Sequence, residues 1–328
     1  MSLFSAVADF LKPPPPPDPA VLKALDRVAE MVDPLLKVTP GFERHLADPV
    51  RHALGYCDGL VGALPGPIDI NRQAFSTDPL VHALFATADD IGQMLGRSQA
   101  VRDFLAEPRC WESDHFYAML AARRQQKKQL GMAQQGDLIR NDVPQLVLYF
   151  SGHTLIEPSC QLEESLHGLR CKAFESLLHT FRSHVQVLRN ERDGLRADIS
   201  VERAHLTTFK SALGNHEIEV GTRHLAELDG KLRQHAEELM PEHLIASLAD
   251  YLQAPEPALR LSPVTITVDR LGVVRDEADD SNAHTLNFPE LTARDRRLHL
   301  ATLVRVSRDE AMEAVEAVRD QQQRFLLI

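Results

Sequence analysis

Aromatic residues and cysteines are scarce in this chain. Only 5% of its 328 residues are aromatic, and the four cysteines, Cys57, Cys110, Cys160 and Cys171, form no CxxC pair. Their spacing indicates neither a zinc site nor a disulfide framework, and it is typical of reduced thiols. We therefore expect a cytoplasmic protein.

Long apolar runs and an excess of basic residues are also missing. No apolar run approaches the roughly 18 residues of a membrane helix, and the N-terminus does not resemble a signal peptide, so we expect no transmembrane span. The chain has 36 basic residues against 47 acidic ones, for a net charge of −11. This balance argues against a nucleic-acid partner. No motif favours a cofactor, so we expect none.

A 4-3 apolar spacing organises the middle of the chain. Counting alternately four and three residues from Cys160 to Leu213 gives mostly apolar positions without a proline between them. The spacing predicts a helix roughly 80 Å long whose seam faces a partner helix. A second series runs from Ile218 to Leu239, after Gly214 and Asn215. Gly and Asn tolerate the left-handed backbone conformation that occurs at helix ends. We predict an antiparallel coiled-coil hairpin with its tip near Gly214.

The two arms of this hairpin are unequal, because Pro241 ends the second series early. The helix could resume over 242–252, the base of the first arm could pack on the N-terminal helices, or another copy of the chain could cover part of the seam. Arg192 and Glu202 interrupt the apolar seam. Such residues fix the register of a coiled coil or meet opposite charges across it.

Segments rich in β-forming residues flank the hairpin. Segments 145–150 and 153–157, joined by Ser151 and Gly152, predict a tight hairpin, and segments 264–268, 273–274 and 298–306 predict further strands. Ser307 to Glu310 form a capping box, which predicts a terminal helix. These segments indicate a small mixed α/β (α+β) base formed by strands on both sides of the coiled coil.

The N-terminal part has a helical pattern. Asp-Pro pairs begin at Asp18, Asp33, Asp48 and Asp78, where the aspartate is a good N-cap and the proline fits the first helical turn. A further helix is predicted over 110–130. The predicted fold class is therefore mainly α, with four parts: an N-terminal peptide and polyproline spacer at 1–17, a helical domain at 18–142, the α/β base at 143–159 and 260–328, and the coiled-coil hairpin at 160–253.

The first residues form a short amphipathic peptide on a stiff polyproline tether. It could pack on its own domain, bind a partner, or lie at a membrane interface. Its candidate partner-binding residues share one helical face: Leu3, Phe4, Val7, Phe10 and Leu11.

Two further groups are weaker candidates for chemistry. A cationic cluster in the predicted 110–130 helix could contact an anion or an acidic partner, although a solvated helix face is the simpler interpretation. Glu-x-x-His pairs present a carboxylate and an imidazole on one helix face, as in di-iron sites, but we favour no metal here. The cations are Arg123, Arg124, Lys127 and Lys128, and the metal candidates are Glu112, His115, Glu164 and His167.

These patterns favour a non-enzymatic interaction or scaffold protein, because a protruding hairpin has a long surface and no enclosed pocket. The hairpin would bind a protein partner or other copies of the chain, and we expect a homo-oligomer. One alternative is a helical metalloprotein or enzyme with its site at the base of the long helix. Another is recruitment to an assembly or membrane through the N-terminal peptide.

Overall fold

The computed structural model describes residues 18–135, 138–208, 215–275, 283–293 and 298–326. These residues form two compact units, one from the described residues up to Gly55 with those of Glu175–Pro255, and the other from those of Tyr56–Phe174 with the described residues after Pro255. Two of the three boundaries between the units fall within helices, α2 and α7, and the third follows α9; the bounds of these helices follow.

The described residues form ten α-helices and six strands. The helices are α1 (Pro19–Met31), α2 (Phe42–Gly62), α3 (Arg72–Thr77), α4 (Pro79–Leu84), α5 (Ala88–Arg97), α6 (Gln99–Leu105), α7 (Leu162–Thr208), α8 (Asn215–Glu238), α9 (Pro241–Gln253) and α10 (Arg308–Leu326). The strands are β1 (Ile68–Asp69), β2 (His115–Gln135), β3 (Leu138–Ser159), β4 (Leu259–Val268), β5 (His284–Ala293) and β6 (Leu298–Ser307). Two 3₁₀ turns cover Pro34–Val38 and Pro108–Glu112.

Three of the four Asp-Pro pairs cap helical segments. The side chains of Asp18, Asp33 and Asp78 accept hydrogen bonds from backbone N–H groups two residues ahead. Asp48 does not, because Pro49 lies inside α2, which begins at Phe42. The expected helix start at Asp48 is therefore wrong.

The first unit is helical. Its core includes buried apolar side chains of α1, α7 and α9, among them Val28, Leu178 and Leu248. Polar contacts join the same elements: Arg27 of α1 pairs with Glu175 of α7 at 2.7 Å, and Tyr251 of α9 donates to the carbonyl of Leu177 at 3.0 Å. Two of the three expected explanations for the unequal arms have a counterpart in this unit: a helix, α9, resumes after α8, and α1 contacts α7.

The second unit contains the sheet, with the strand order β3-β2-β6-β5-β4. Neighbouring strands in this order are antiparallel, and β1 pairs with β6 in parallel. Two single bridges, Val268–Val274 and Val147–Val273, connect the last strand to the first. The sheet therefore curls until its two edges are joined through Val273 and Val274.

Each face of the sheet has its own apolar core. Alternate residues of β2, Phe116, Ala118, Leu120 and Ala122, pack with residues of α3 to α6 and α10. The opposite face carries Met119, Ala301 and Leu303, which pack with Leu169 of α7 and the end of α2. Because strand side chains alternate between faces, burial on both sides leaves few polar positions in this part of β2.

The predicted fold class is wrong, because the strands form an extensive sheet instead of a small base. Strands β2 and β3 have 21 and 22 residues, and β2 occupies most of the segment predicted to be a helix over 110–130. That segment is rich in Ala, Leu, Arg, Gln and Lys, which favour helices locally. Pairing with β3 and β6 and burial of both faces outweigh this propensity.

Two details of the predicted strands also differ. Segments 145–150 and 153–157 belong to the single strand β3, and Gly152, with a φ of 63°, lies where the register with β2 shifts by one residue. It marks a β-bulge instead of a turn. Strand β5 was not predicted, because Pro289 and Glu290 interrupt its apolar alternation. The strands expected at 264–268 and 298–306 lie within β4 and β6.

Candidate interaction surfaces

The part of α7 from 186 to 208, here called its upper part, forms an antiparallel helical hairpin with all of α8. Arg203 of α7 lies 3.2 Å from the carboxylate of Asp229 of α8. Farther from the tip, His235 lies 3.9 Å from Glu191. As the residue number falls along α7 it rises along α8, which is the geometry of two antiparallel arms. The predicted tip, including Gly214, lies outside the described residues.

The least exposed residues of the hairpin follow the 4-3 spacing. Between 186 and 208, every residue that is not exposed belongs to the spacing, except Arg189, and only Ile199 is buried. In α8, Gly221 and Leu228 are buried, and the other apolar positions of the second series are half-buried. The hairpin therefore has a continuous apolar seam that the two arms cover only in part.

The ion pair of Arg203 with Asp229 flanks the seam instead of lying in it. Arg192, a seam residue, donates to the carboxylate of its neighbour Asp193 at 2.9 Å, and in the described part of the chain it meets no acid across the hairpin. The pair of Arg203 with Asp229 spans the two arms instead. The side chain of Arg203 is exposed and that of Asp229 is half-buried, so solvent screens the pair and it guides orientation more than it adds stability.

The base of α7 brings two of the four metal candidates together. Glu112 and Glu164 line one cleft of about 550 Å³ with Ser159 and Cys160. Ser159 donates to Glu164 at 2.7 Å. Burial, and next the Glu164 carboxylate, raises the pKa of the Cys160 thiol, so this thiol is a poor nucleophile at neutral pH.

His115 and His167 do not line that cleft. His115 begins β2, and His167 lies in α7 with its Nε2 3.9 Å from the sulfur of Cys171. Among the residues that the structure describes, no group of three or more His, Cys, Asp or Glu side chains is arranged to hold a metal ion. The metal candidates remain a prediction from sequence spacing.

The four cations predicted to contact an anion lie on strand β2, and one of them has an internal partner. Arg124 binds Glu290 of β5 through two hydrogen bonds, of 2.6 and 3.3 Å. Both side chains are shielded from solvent, with 17% and 8% exposed, so this pair belongs to the interior of the curled sheet. Arg123, Lys127 and Lys128 are exposed.

Glu290 was missed in the sequence. The sequence does contain an indication of its role: Glu290 follows the buried Leu286 and Phe288 at a spacing of two residues, and strand residues two apart share a face. A carboxylate buried on an apolar face needs a cation or hydrogen-bond donors beside it. Its partner, Arg124, could not be identified from the sequence, because it lies 166 residues away in the chain.

The candidate partner-binding residues of the N-terminal peptide, Leu3, Phe4, Val7, Phe10 and Leu11, lie outside the described residues. Within the described ranges, no helix has both the length and the apolar composition that crossing a membrane requires. The chain matches no protein-family model, no curated protein and no solved structure.

Proposed function

We propose that the protein is a non-enzymatic interaction protein, and that the helical hairpin of α7 and α8 binds the hairpin of a second copy of the chain. The support comes from one contrast along α7. The 4-3 spacing runs through its lower and upper parts alike, but between 186 and 208 intramolecular packing buries only Ile199 of the seam.

The lower seam residues of α7 are fully covered. Leu178, Phe181 and Val185 have at most 3% of their surface exposed. Farther along the same helix, Leu188, Leu195 and Leu206 occupy equivalent positions and are only half-buried. Each leucine gains about 25 cal/mol for every Å² of apolar surface removed from water, so covering the upper seam favours association.

A second copy fits this seam because both arms carry it. Two hairpins related by a two-fold axis bury the same residues on each side, which is the usual geometry of a homodimer. The product is a four-helix bundle, whose core encloses seam positions that a two-helix hairpin leaves open. Charges of both signs alternate along the flanks, as in the pair of Arg203 with Asp229, and do not oppose this contact.

Light scattering on a size-exclusion column tests this proposal. We expect a mass of twice the 36.7 kDa chain for the purified protein. Leu195→Asn places an amide in the half-buried seam and is expected to weaken the dimer by about tenfold or more, equivalent to about 1.4 kcal/mol. Ala197→Asn on the exposed side of the same helix is the matched control and keeps the dimer.

Circular dichroism on the same samples checks that both variants retain their helices. A wild-type protein that stays monomeric at about 100 μM argues against self-association, because this concentration is well above the dissociation constants of most specific homodimers. A dimer that Leu195→Asn leaves intact places the contact elsewhere.

A further inference from the structure

Strand β2 has an open edge along its second half. From His115 to Arg123 it pairs with β6 on one edge and with β3 on the other. From Arg124 to Gln135 it pairs with β3 alone, and no described strand lies on its other edge. An open edge presents backbone N–H and C=O groups that another extended chain can pair with.

The side chains around this edge are accessible and positively charged. Every residue from Gln126 to Leu130 is exposed. Arg123, Lys127 and Lys128 have no carboxylate partner among the described residues, in contrast to Arg124, which Glu290 neutralises. Asp142 is the only acid among the described residues of β2 and β3 between 123 and 150. The segment is thus a cationic surface on a chain whose net charge is −11.

Apolar side chains continue the same surface. Leu130 and Met132 have 67% and 69% of their surface exposed, and they share a face of the strand with Lys128. Lys127 lies on the other face, as does Arg123. A strand paired with this edge would therefore meet cations on both faces and an apolar pair near the distal end.

We propose that the open edge of β2, from Arg124 to Gln135, binds an extended acidic segment of another protein as an added strand. The backbone of the segment would pair with the edge. Its carboxylates would meet Arg123, Lys127 and Lys128, and its apolar side chains would cover Leu130 and Met132.

Charge disfavours the two simplest other occupants. A second β2 edge would bring the same cations of another copy against Arg123, Lys127 and Lys128, and like charges that face each other across a strand pair destabilise it. Nucleic acid would satisfy the cations but not the backbone groups of the edge, and the net negative charge of the chain opposes it. An acidic strand satisfies the charges and the backbone together.

Fluorescence anisotropy with three labelled peptides tests the proposal on the full-length protein. The probe is an alternating Glu-Val peptide of about twelve residues, long enough for one strand. The first control replaces its central valines with proline, which cannot donate to a strand pair. The second control alternates Lys and Val.

We expect the Glu-Val peptide to bind and both control peptides to bind at least about tenfold more weakly, because one lacks the pairing groups and the other the charge. The double substitution Lys127→Glu with Lys128→Glu should weaken binding of the Glu-Val peptide by about tenfold or more, because it removes attraction and adds repulsion. The matched variant reverses two exposed cations of the hairpin, Lys231→Glu with Arg233→Glu, and should bind as the wild type does.

Three outcomes overturn the proposal. The first is an acidic peptide that does not bind, and the second is equal binding of the proline-containing peptide, which removes strand addition. The third is a single-stranded oligonucleotide that binds more tightly than the peptide and depends on Lys127 and Lys128, which makes the surface a site for phosphate polyanions. The hairpin dimer does not involve β2, so neither test decides the other.

Discussion

His153 is a histidine that the folded protein keeps uncharged. Its Nε2 donates to the carbonyl oxygen of Leu84 at 2.7 Å, and its ring stacks on Phe85 with the centroids 4.6 Å apart. Burial lowers the pKa of His153, while the hydrogen bond to Leu84 and the charge of Asp90 act in the opposite direction to a smaller extent. The imidazole is therefore neutral at a pH where an exposed histidine takes up a proton.

This environment predicts a loss of stability in mild acid. The pKa of His153 is lower in the folded chain than in the unfolded one, so the unfolded chain binds the proton first as the pH falls below about 6.5. We expect His153 to account for a loss of less than about 1 kcal/mol between pH 7.5 and 5, because the ring is partly exposed to solvent. Urea unfolding at several pH values measures the effect.

His153→Gln removes the titrating group and should flatten this part of the pH dependence. His216→Gln, at an exposed position of the hairpin, is the matched control and should retain the wild-type slope. If His153→Gln and the wild type lose stability in parallel, the folded state does not exclude the proton from His153.

Helices α5 and α10 approach closely at Gly96. A Cβ atom placed on Gly96 would lie 2.4 Å from the carbonyl oxygen of Ala314 and 2.6 Å from a methyl group of Val318. Both helices would have to separate to accept even an alanine. Gly92, one turn earlier in α5, has nothing within 4 Å of the same position. The two glycines therefore allow a matched comparison within one helix.

Alanine substitutions at these two glycines should act in opposite directions. Gly92→Ala is expected to raise the free energy of unfolding by about 0.5–1 kcal/mol, because alanine has the higher helix propensity. Gly96→Ala gains the same propensity but has to displace backbone atoms, and it should destabilise the fold by about 1–3 kcal/mol. Denaturant unfolding of both variants provides the comparison. Equal effects would show that α10 can move away from α5 at little cost.

Strand β2 shows where local sequence preference misleads. Its residues from Ala118 to Leu130 include many good helix formers, yet they lie in an antiparallel sheet. One feature of the sequence does indicate a strand, the alternation of Phe116, Ala118, Leu120 and Ala122 on one face. This pattern is weak, because two of the four residues are alanines. The residues from Arg123 to Gln129 are all polar or charged, so periodicity alone could not distinguish this part of the strand from a solvated helix.

The four thiols are buried to very different extents across the molecule. Cys57 and Cys110 have 0% and 2% of their surface exposed, Cys160 is half-buried, and Cys171 is exposed. Burial raises the pKa of Cys57 to about 12. Because the thiolate is the reactive form, this cysteine is both inaccessible and protonated at neutral pH.

Alkylation therefore follows the order of burial. With iodoacetamide at pH 7.5, we expect Cys171 to be modified first and Cys57 to remain unmodified while Cys171 reacts completely, as read by mass spectrometry of peptides. In about 6 M urea all four thiols should react at similar rates, because unfolding exposes them. Early labelling of Cys57 under native conditions would contradict the packing around α2.

The sequence alone determined the features that arise from neighbouring residues. Helix hydrogen bonds join residues four apart, so the 4-3 spacing of α7 and α8 was readable without knowing the fold. The same holds for the aspartate caps at Asp18, Asp33 and Asp78, and for the capping box before α10, where the N–H of Glu310 approaches Ser307 at 3.5 Å. The candidate seam belongs to this group.

The tertiary structure decided what depends on distant residues. Strand hydrogen bonds join segments far apart in the chain, so the pairing of β2 with β6 and the open edge that it leaves could not be derived from local patterns. The pairing of Arg124 with Glu290 and the neutral state of His153 likewise arise only when separate segments enclose these side chains. Local periodicity predicts helices, whereas long-range packing determines strand partners, burial and the charge state of side chains.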